Sequence, residues 1–140
     1  MKSLIANSIV IDRQRLNEDI DWSDRLIGIL GSRGAGKTNT LLQRLDSAYE
    51  SGDECLYVSM IDPHFKEQML SDFAARYVER EGKILLIDDL HNYPNWAVVL
   101  KNIYDFYRDL RIVFTASDSH KVSRQLLSLS WRIVSYEISR

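Results

Sequence analysis

The sequence predicts an α/β domain with a mainly parallel sheet, and three observations lead to this prediction. Short apolar runs rich in β-branched residues alternate with longer stretches of helical periodicity. The first four runs are largely apolar from end to end, as expected for strands covered on both faces. Six glycines and two prolines punctuate 140 residues without a repeat or a low-complexity segment, so residues 1–140 are expected to form one domain.

Five segments are predicted as strands. They are residues 26–30, 55–60, 84–88, 111–116 and 132–138. The last differs from the others because it places polar Ser135 and Glu137 between apolar neighbours. Alternation with a period of two is typical of a strand with one exposed face, so we expect this strand to lie at an edge of the sheet.

Four helices are predicted between these strands, over residues 37–50, 65–80, 94–107 and 121–130. The third helix carries an apolar stripe at steps of four, three and four residues, formed by Trp96, Leu100, Ile103 and Tyr107. Such a stripe packs against a sheet. Pro94 fits the first turn of this helix, where its missing N–H costs nothing. A short surface helix is also expected within residues 12–20.

Composition and charge exclude several classes of protein. Eighteen Lys plus Arg against 20 Asp plus Glu give a formal net charge of −2, which does not favour a basic clamp for nucleic acid. The single cysteine and three histidines without metal-ligand spacing argue against a disulfide scaffold and a zinc site. No apolar run approaches the ~20 residues that cross a bilayer, and residues 1–12 are too short for a secretory signal. We therefore expect a cytoplasmic protein with no membrane partner.

The most informative motif is GSRGAGKT at residues 31–38, which fits G-x-x-x-x-G-K-[ST] and lies between a predicted strand and a predicted helix. Its glycines let the backbone approach an anion closely, while successive N–H groups point at phosphate oxygens. Lys37 would reach the β and γ phosphates, and the Thr38 hydroxyl would be a magnesium ligand. The predicted phosphate-binding residues are Gly31, Ser32, Arg33, Gly34, Ala35, Gly36, Lys37, Thr38 and Asn39.

The alternative interpretation of this motif is a glycine turn that carries Lys-Thr by chance. Both halves of the required context, a strand before and a helix after, argue against chance. The motif therefore predicts a nucleotide phosphate site.

Two aspartates end the predicted strand at residues 84–88, which resembles a Walker B element. Asp88 would hold magnesium through its water shell, and Asp89 would orient or deprotonate the attacking water. Many ATPases with this element place a glutamate at the position of Asp89. An aspartate is one methylene shorter, and proton transfer depends on the reach of the carboxylate, so slow turnover is expected. The alternative is that both aspartates cap a turn that continues through Asn92 and Pro94.

Two hydroxyl residues, Thr115 and Ser117, follow another apolar strand. Ligands of open α/β sheets bind at the carboxyl ends of the strands, so either hydroxyl could sense the γ-phosphate. Capping of the next helix is the alternative. We expect His91 to be a hydrogen-bond partner near Asp88. Arg132 could contact phosphate, and the alternative is a plain surface charge or an ion pair, which is more common for such an arginine.

Three runs of the sequence, IDWSDRLIGILGSRGAGKT, LYVSMIDPHF and GKILLIDDLHNYPNWAVVLKNIYDFYRDLRIVFTAS, resemble the ATP-binding core of a prokaryotic group of AAA-type P-loop ATPases. The resemblance covers about residues 12–120. Positions that fit the family's pattern after the Walker B strand are Asp88, His91, Tyr93, Pro94, Asn95 and Trp96. Asp89 departs from it, since the family places glutamate there, and Asn39 stands where a second threonine is usual.

This resemblance implies a three-layer P-loop NTPase fold. Its sheet would have five strands in the order 5-1-4-3-2, with Walker B on the third strand and a sensor on the fourth. Adenine would be held partly by residues 21–25. Family members continue into a winged-helix-like region and a further domain, so an isolated core without the C-terminal lid is expected.

The resulting functional prediction is a Mg-ATP-binding domain with slow ATPase activity of the AAA type. Lys37 and the loop amides would neutralise phosphate charge, Thr38 and Asp88 would hold Mg²⁺, and Asp89 would position water. An arginine would come from a second subunit of a homo-oligomer or from a partner protein. Three alternatives remain: a nucleotide-dependent switch or scaffold without useful hydrolysis, a small P-loop phosphotransferase, and a nucleic-acid motor, which the charge balance disfavours.

Overall fold

The fold was obtained as a computed structural model that describes residues 8–12 and 16–139. The strands in these residues are β1 (Ile9–Asp12), β2 (Leu26–Leu30), β3 (Cys55–Ser59), β4 (Ile84–Asp88), β5 (Arg111–Ala116) and β6 (Val134–Ser139). The helices are α1 (Leu16–Asp19), α2 (Lys37–Glu50), α3 (His64–Glu67), α4 (Leu70–Glu79), α5 (Trp96–Phe106) and α6 (His120–Leu126). Two 3-10 turns cover Leu90–Asn92 and Leu127–Leu129. None of the helices in the described residues is both long and apolar enough to span a membrane.

All strand pairs in the sheet are parallel, and the spatial order is β1-β6-β2-β5-β4-β3. For the five strands predicted from the sequence, this order confirms the expected 5-1-4-3-2 arrangement. The sheet has one strand more than expected, because β1 pairs with β6 in a register that sets Ile9 against Tyr136.

The expected edge position of the last strand is therefore wrong. β6 lies between β1 and β2, and its polar Ser135 and Glu137 are buried, with 8% and 6% of their surfaces exposed. The Ser135 hydroxyl is 2.8 Å from the Ser8 hydroxyl beside the added strand. Four residues are too few to give a clear periodic signal, so β1 could not be recognised in the sequence. Residues 1–7 and 13–15 of this amino-terminal region lie outside the described residues.

Helices cover both faces of the sheet and create two layers of core. Along β2, Leu26 and Leu30 face one side and Ile27 the other, and each of these side chains is completely buried. Side chains of α4, α5 and α6 pack on the first face, where Trp96 contacts Phe114 at 5.6 Å between ring centroids. Helix α2 packs on the second face. The result is the expected three-layer α/β architecture.

Two predicted helices are interrupted. The predicted helix at residues 65–80 divides into α3 and α4, because Met69 has an extended backbone and the Leu70 N–H donates to the Tyr93 hydroxyl at 3.0 Å. The predicted helix at residues 121–130 ends in a 3-10 turn. The helix predicted at residues 94–107 begins two residues later, since Asn95 has a left-handed φ of 56°. Helix α2 has the predicted bounds.

The turn between α4 and β4 depends on a glycine under an aromatic ring. A Cβ atom added to Gly82 would overlap the ring of Tyr77, whose hydroxyl donates to the Ile84 carbonyl at 2.8 Å. We expect Gly82→Ala to lower the free energy of unfolding by about 1–3 kcal/mol through overpacking, measured by urea denaturation. In a Tyr77→Ala background the same change should cost much less. Equal losses in the two backgrounds would contradict this explanation.

Candidate functional site

The loop between β2 and α2 forms the floor of the site. The Gly31 N–H donates to the Ala116 carbonyl at 3.2 Å, which fastens the start of the loop to the end of β5. Gly34 and Gly36 have left-handed φ angles of 83° and 98°, which glycine adopts without a steric penalty. Gly36 is the N-cap of α2 and provides no side chain to satisfy the first amides of the helix. Such an uncapped helix start favours an anion.

A cavity of about 620 Å³ opens in front of this loop. Residues lining it are Arg33, Gly34, Gly36, Lys37, Thr38, Asn39, Ile61, Asp89, His91, Asn92 and Ser117. The structure thus brings one wall of the phosphate loop together with the residues that follow β4 and β5. Gly31, Ser32, Ala35, Asp88 and Thr115 do not line the cavity, although Asp88 lies directly behind Thr38.

Lys37 is the buried cation of the site, with 9% of its surface exposed. Its ammonium donates a hydrogen bond to the Gly31 carbonyl. Burial lowers the pKa of Lys37, and the carboxylates of Asp89, Asp118 and Asp88 oppose this shift by favouring the charged form. Among the described residues this carbonyl is the one hydrogen-bond partner of the ammonium, so donor capacity remains that a phosphate oxygen can satisfy.

Asp88 at the end of β4 is 2% exposed and accepts hydrogen bonds from three hydroxyls. Its Oδ2 atom accepts from Thr38 Oγ1 and from the Tyr57 hydroxyl, each at 2.7 Å, and its Oδ1 atom accepts from Thr115 Oγ1. The direct contact between Thr38 and Asp88 places together the two residues that the sequence assigned to magnesium.

The residues at Asp88 could hold Mg²⁺ only together with other ligands. The described residues contain no group of three or more His, Cys, Asp or Glu side chains that could hold a metal ion by themselves. One carboxylate and one hydroxyl fit Mg²⁺ bound together with a nucleotide, because this ion keeps several waters and shares phosphate oxygens.

Asp89 has a left-handed backbone, with φ 55° and ψ 41°, and its half-buried side chain lines the cavity. Its N–H donates to Thr115 Oγ1 at 2.8 Å. Aspartate and asparagine are several-fold enriched in this conformation, since their short polar side chains bond locally. The local backbone therefore favours aspartate over the longer glutamate at position 89.

The structure does not bring Thr115 to the cavity. This residue is completely buried, and its hydroxyl donates to Asp88 and accepts from the Asp89 N–H. The expected sensor contact of Thr115 is therefore corrected to a bridge between the two acids. Ser117 does line the cavity. The cap of α6 is neither of these residues but Ser119, which accepts from the Val122 N–H at 3.2 Å.

The bridging role of Thr115 predicts a large effect from a change of one atom. Thr115→Val should lower the free energy of unfolding by about 2–3 kcal/mol, because the Asp89 N–H loses its acceptor and the buried Asp88 carboxylate loses a donor. Thr115→Ser keeps the hydroxyl and is the matched control, with an expected loss of less than about 1 kcal/mol. Urea denaturation measures both. A valine variant as stable as the serine variant would contradict the bridge.

Tyr57 belongs to the site but was not recognised from the sequence. It lies in the middle of β3, two residues before Ser59, whose register partner is Asp88. Alternate residues of a strand face the same side, so knowledge of the register between β3 and β4 would have indicated the contact. Burial raises the pKa of the Tyr57 hydroxyl, so the hydroxyl keeps its proton and remains a donor.

His91 lines the cavity without the expected bond to Asp88. Its Nδ1 atom is buried and has no hydrogen-bond partner among the described residues. Burial lowers the pKa of His91, with Asp89 opposing the shift, so the neutral ring is favoured. Of the roles left open for Arg132, the structure shows the ion pair, since the guanidinium donates to both oxygens of Asp105 at 2.8 and 3.1 Å.

Residues 21–25, expected to contact adenine, lie at the opposite end of β2 from the phosphate loop. The five residues of β2 separate the two ends by about 17 Å at ~3.3 Å per residue. Arg25 stacks on Tyr104, 4.0 Å from the ring centroid, and donates to the carbonyls of Tyr104 and Tyr107 at 2.9 and 3.0 Å. Arg25 thus ties β2 to the end of α5. The adenine contact expected of residues 21–25 stays a prediction.

A glycine-rich loop between a strand and a helix, with an acidic residue ending a second strand of a parallel sheet, is the arrangement of a P-loop nucleotide-binding core. The chain belongs to the AAA domain family, whose model matches residues 23–139. No curated protein matches the chain.

Solved structures with the same fold include two forms of the replication initiator DnaA. AMPPCP-bound DnaA from Aquifex aeolicus is 19% identical with a TM-score of 0.54, over 88% of this chain and 44% of that chain. DnaA bound to AMPPCP and single-stranded DNA is 19% identical with a TM-score of 0.55, over 91% and 44%. A DNA replication initiation factor is 21% identical with a TM-score of 0.57, also over 91% and 44%. The chain spans less than half the length of these proteins, and the likeness establishes the fold.

Proposed function

We propose that this domain binds Mg-ATP and hydrolyses it slowly. One observation carries the proposal: Lys37, the Thr38–Asp88 pair and Asp89 converge at the uncapped start of α2. A cation, a metal-binding pair and a carboxylate beside an anion-binding helix terminus are the parts that phosphoryl transfer to water requires.

Phosphate binding would use the loop amides and Lys37. The cavity wall includes the start of α2, whose first N–H groups have no side-chain cap, and the helix dipole favours negative charge at this end. The Lys37 ammonium would exchange its bond to the Gly31 carbonyl for a phosphate oxygen. Nucleoside triphosphate as the ligand class is supported by the ATP analogue named in the DnaA structures of the same fold.

Magnesium would be held between Thr38 and Asp88. When bound, the ion supplies positive charge that neutralises the charge developing on the transferred phosphoryl group. The Thr38 hydroxyl would be a direct ligand, and the Asp88 carboxylate would accept hydrogen bonds from the ion's waters.

Water would be positioned by Asp89, whose side chain lines the same cavity as the phosphate loop. The left-handed backbone at this residue fixes the direction in which the short side chain leaves the main chain. Among the described residues that line the cavity, Arg33 is the only arginine. A second arginine would have to come from another subunit or a partner protein, and without it a slow intrinsic rate is expected.

A nucleotide-dependent switch without useful turnover is the second candidate. The observation that favours it is the short reach of Asp89, since loss of proton transfer would leave the binding groups intact. Both functions suit a reducing cytoplasmic location, where Cys55 needs no disulfide partner.

Calorimetric titration of ATP and ADP, with and without Mg²⁺, tests the proposal, followed by phosphate release from the same samples. Magnesium-enhanced ATP binding with slow release is the expected result. Binding without any release would identify the switch. Absence of ATP binding by the native chain would overturn both functions.

A further inference from the structure

The Asp88 carboxylate has a hydrogen-bond donor that belongs to neither the phosphate loop nor β5. The Tyr57 hydroxyl approaches Oδ2 at 2.7 Å from β3, the strand next to β4. Thr38 approaches the same oxygen from α2, also at 2.7 Å. Two different elements, β3 and α2, thus meet at one oxygen atom.

The Tyr57 hydroxyl occupies one of the few acceptor sites on the Asp88 carboxylate. An ionised carboxylate offers about four lone-pair sites. Thr38, Tyr57 and Thr115 occupy three of them, and Asp88 is only 2% exposed, so bulk water hardly competes. About one site is left for a water of a bound ion. With donors on both oxygens, the carboxylate plane cannot turn without breaking a hydrogen bond.

Packing alone does not account for a tyrosine at this position. The ring of Tyr57 is half-buried and packs against the core on the α2 side of the sheet. A phenylalanine would fill the same space, so only the hydroxyl distinguishes tyrosine. That hydroxyl is directed at the one acid that the proposed function assigns to the metal.

We infer that Tyr57 is a positioning residue for the metal: its hydroxyl fixes the orientation of the Asp88 carboxylate and so couples magnesium binding to nucleotide binding. This inference rests on the proposed binding of Mg-ATP. It adds a strand to the site, since β3 then contributes to metal binding in addition to α2 and β4.

The test compares Tyr57→Phe with the native chain in its affinity for ATP, once with Mg²⁺ and once with EDTA. The dissociation constant in EDTA divided by that in Mg²⁺ measures how much the ion contributes to ATP affinity. Loss of a hydrogen bond to a charged group should reduce this ratio by roughly tenfold. The EDTA affinity should change by less than about twofold, because in the described residues the Tyr57 hydroxyl bonds Asp88 and neither Lys37 nor a loop amide.

Tyr77→Phe is the matched control. It also removes a tyrosine hydroxyl near β4, but that hydroxyl donates to the Ile84 carbonyl at the opposite end of the strand. The magnesium ratio of this variant should equal that of the native chain.

The outcomes separate this inference from the proposed function. Equal ratios for Tyr57→Phe and the native chain, or an equal loss in the two phenylalanine variants, would overturn the role of Tyr57 and leave Mg-ATP binding in place. A native chain that binds no ATP, or binds it without help from Mg²⁺, would overturn the proposed function together with this inference.

Discussion

Replacement of Lys37 by alanine is expected to weaken Mg-ATP binding at least about 100-fold. The lysine is 9% exposed and its ammonium lies at the Gly31 carbonyl, where the phosphate loop begins, so a phosphate oxygen would meet a largely buried cation. A charge-assisted hydrogen bond in such surroundings is among the stronger polar contacts in proteins, and each 1.4 kcal/mol corresponds to about tenfold in affinity. Calorimetric titration measures the change directly.

Although Lys37→Ala weakens binding, it should not lower the stability of the fold. Burial lowers the pKa of Lys37, which means that the folded chain holds this ammonium at a cost. Lys37→Ala removes that cost, so we expect a melting temperature at or above the native value. Lys121→Ala, an exposed lysine on α6, is the control for loss of charge and should bind ATP normally. Unchanged affinity in Lys37→Ala would contradict the assignment of the phosphate site.

Substitutions of Asp89 are expected to have the second largest effect, on turnover. Asp89→Asn should reduce phosphate release by about 100-fold, in keeping with the loss of a positioned base. Asp89→Glu should raise release, because the added methylene extends the carboxylate toward the attacking water. ATP affinity should change little in either variant, since the phosphate contacts are made by the loop and Lys37.

The left-handed backbone at Asp89 adds a second measurable consequence. Glutamate tolerates φ near 55° less well than aspartate, so Asp89→Glu should lose up to about 1 kcal/mol of stability while it gains turnover. Asp109→Asn, an exposed aspartate between α5 and β5, controls for loss of a carboxylate and should leave both quantities unchanged. A slower or equal rate in Asp89→Glu would remove Asp89 from the water-positioning role.

The local sequence was sufficient to predict the phosphate loop and most strands of the sheet. The conformation of the loop is set by residues that are consecutive in the chain. Residues 31–38 contain the glycines, the lysine and the threonine that this conformation requires. Four of the five predicted strands were continuous apolar runs, which signal burial on both faces without knowledge of the fold. The strand order came from the resemblance to AAA-type ATPases.

Contacts between distant segments could not be predicted. The bond from Tyr57 to Asp88 depends on the register of β3 against β4, and the bridge by Thr115 depends on the contact of β5 with β4. Neither register is encoded in a local pattern. Helix interruptions were missed for a similar reason, since the amide of Leu70 leaves the helical pattern to bond the Tyr93 hydroxyl of a distant turn.

The strand order also determines when the site can exist during biosynthesis. β2 leads into the phosphate loop, and its neighbours β5 and β6 lie more than 80 residues further along the chain. Pairings of such high sequence separation form late, after much loop entropy has been lost. As the polypeptide leaves the ribosome, the phosphate loop therefore cannot be fixed in place until β5 has emerged. Only then can the Ala116 carbonyl accept a hydrogen bond from the Gly31 N–H. Nucleotide binding would then require β5, and ligand added to a nascent chain would stabilise only chains that extend beyond Ala116.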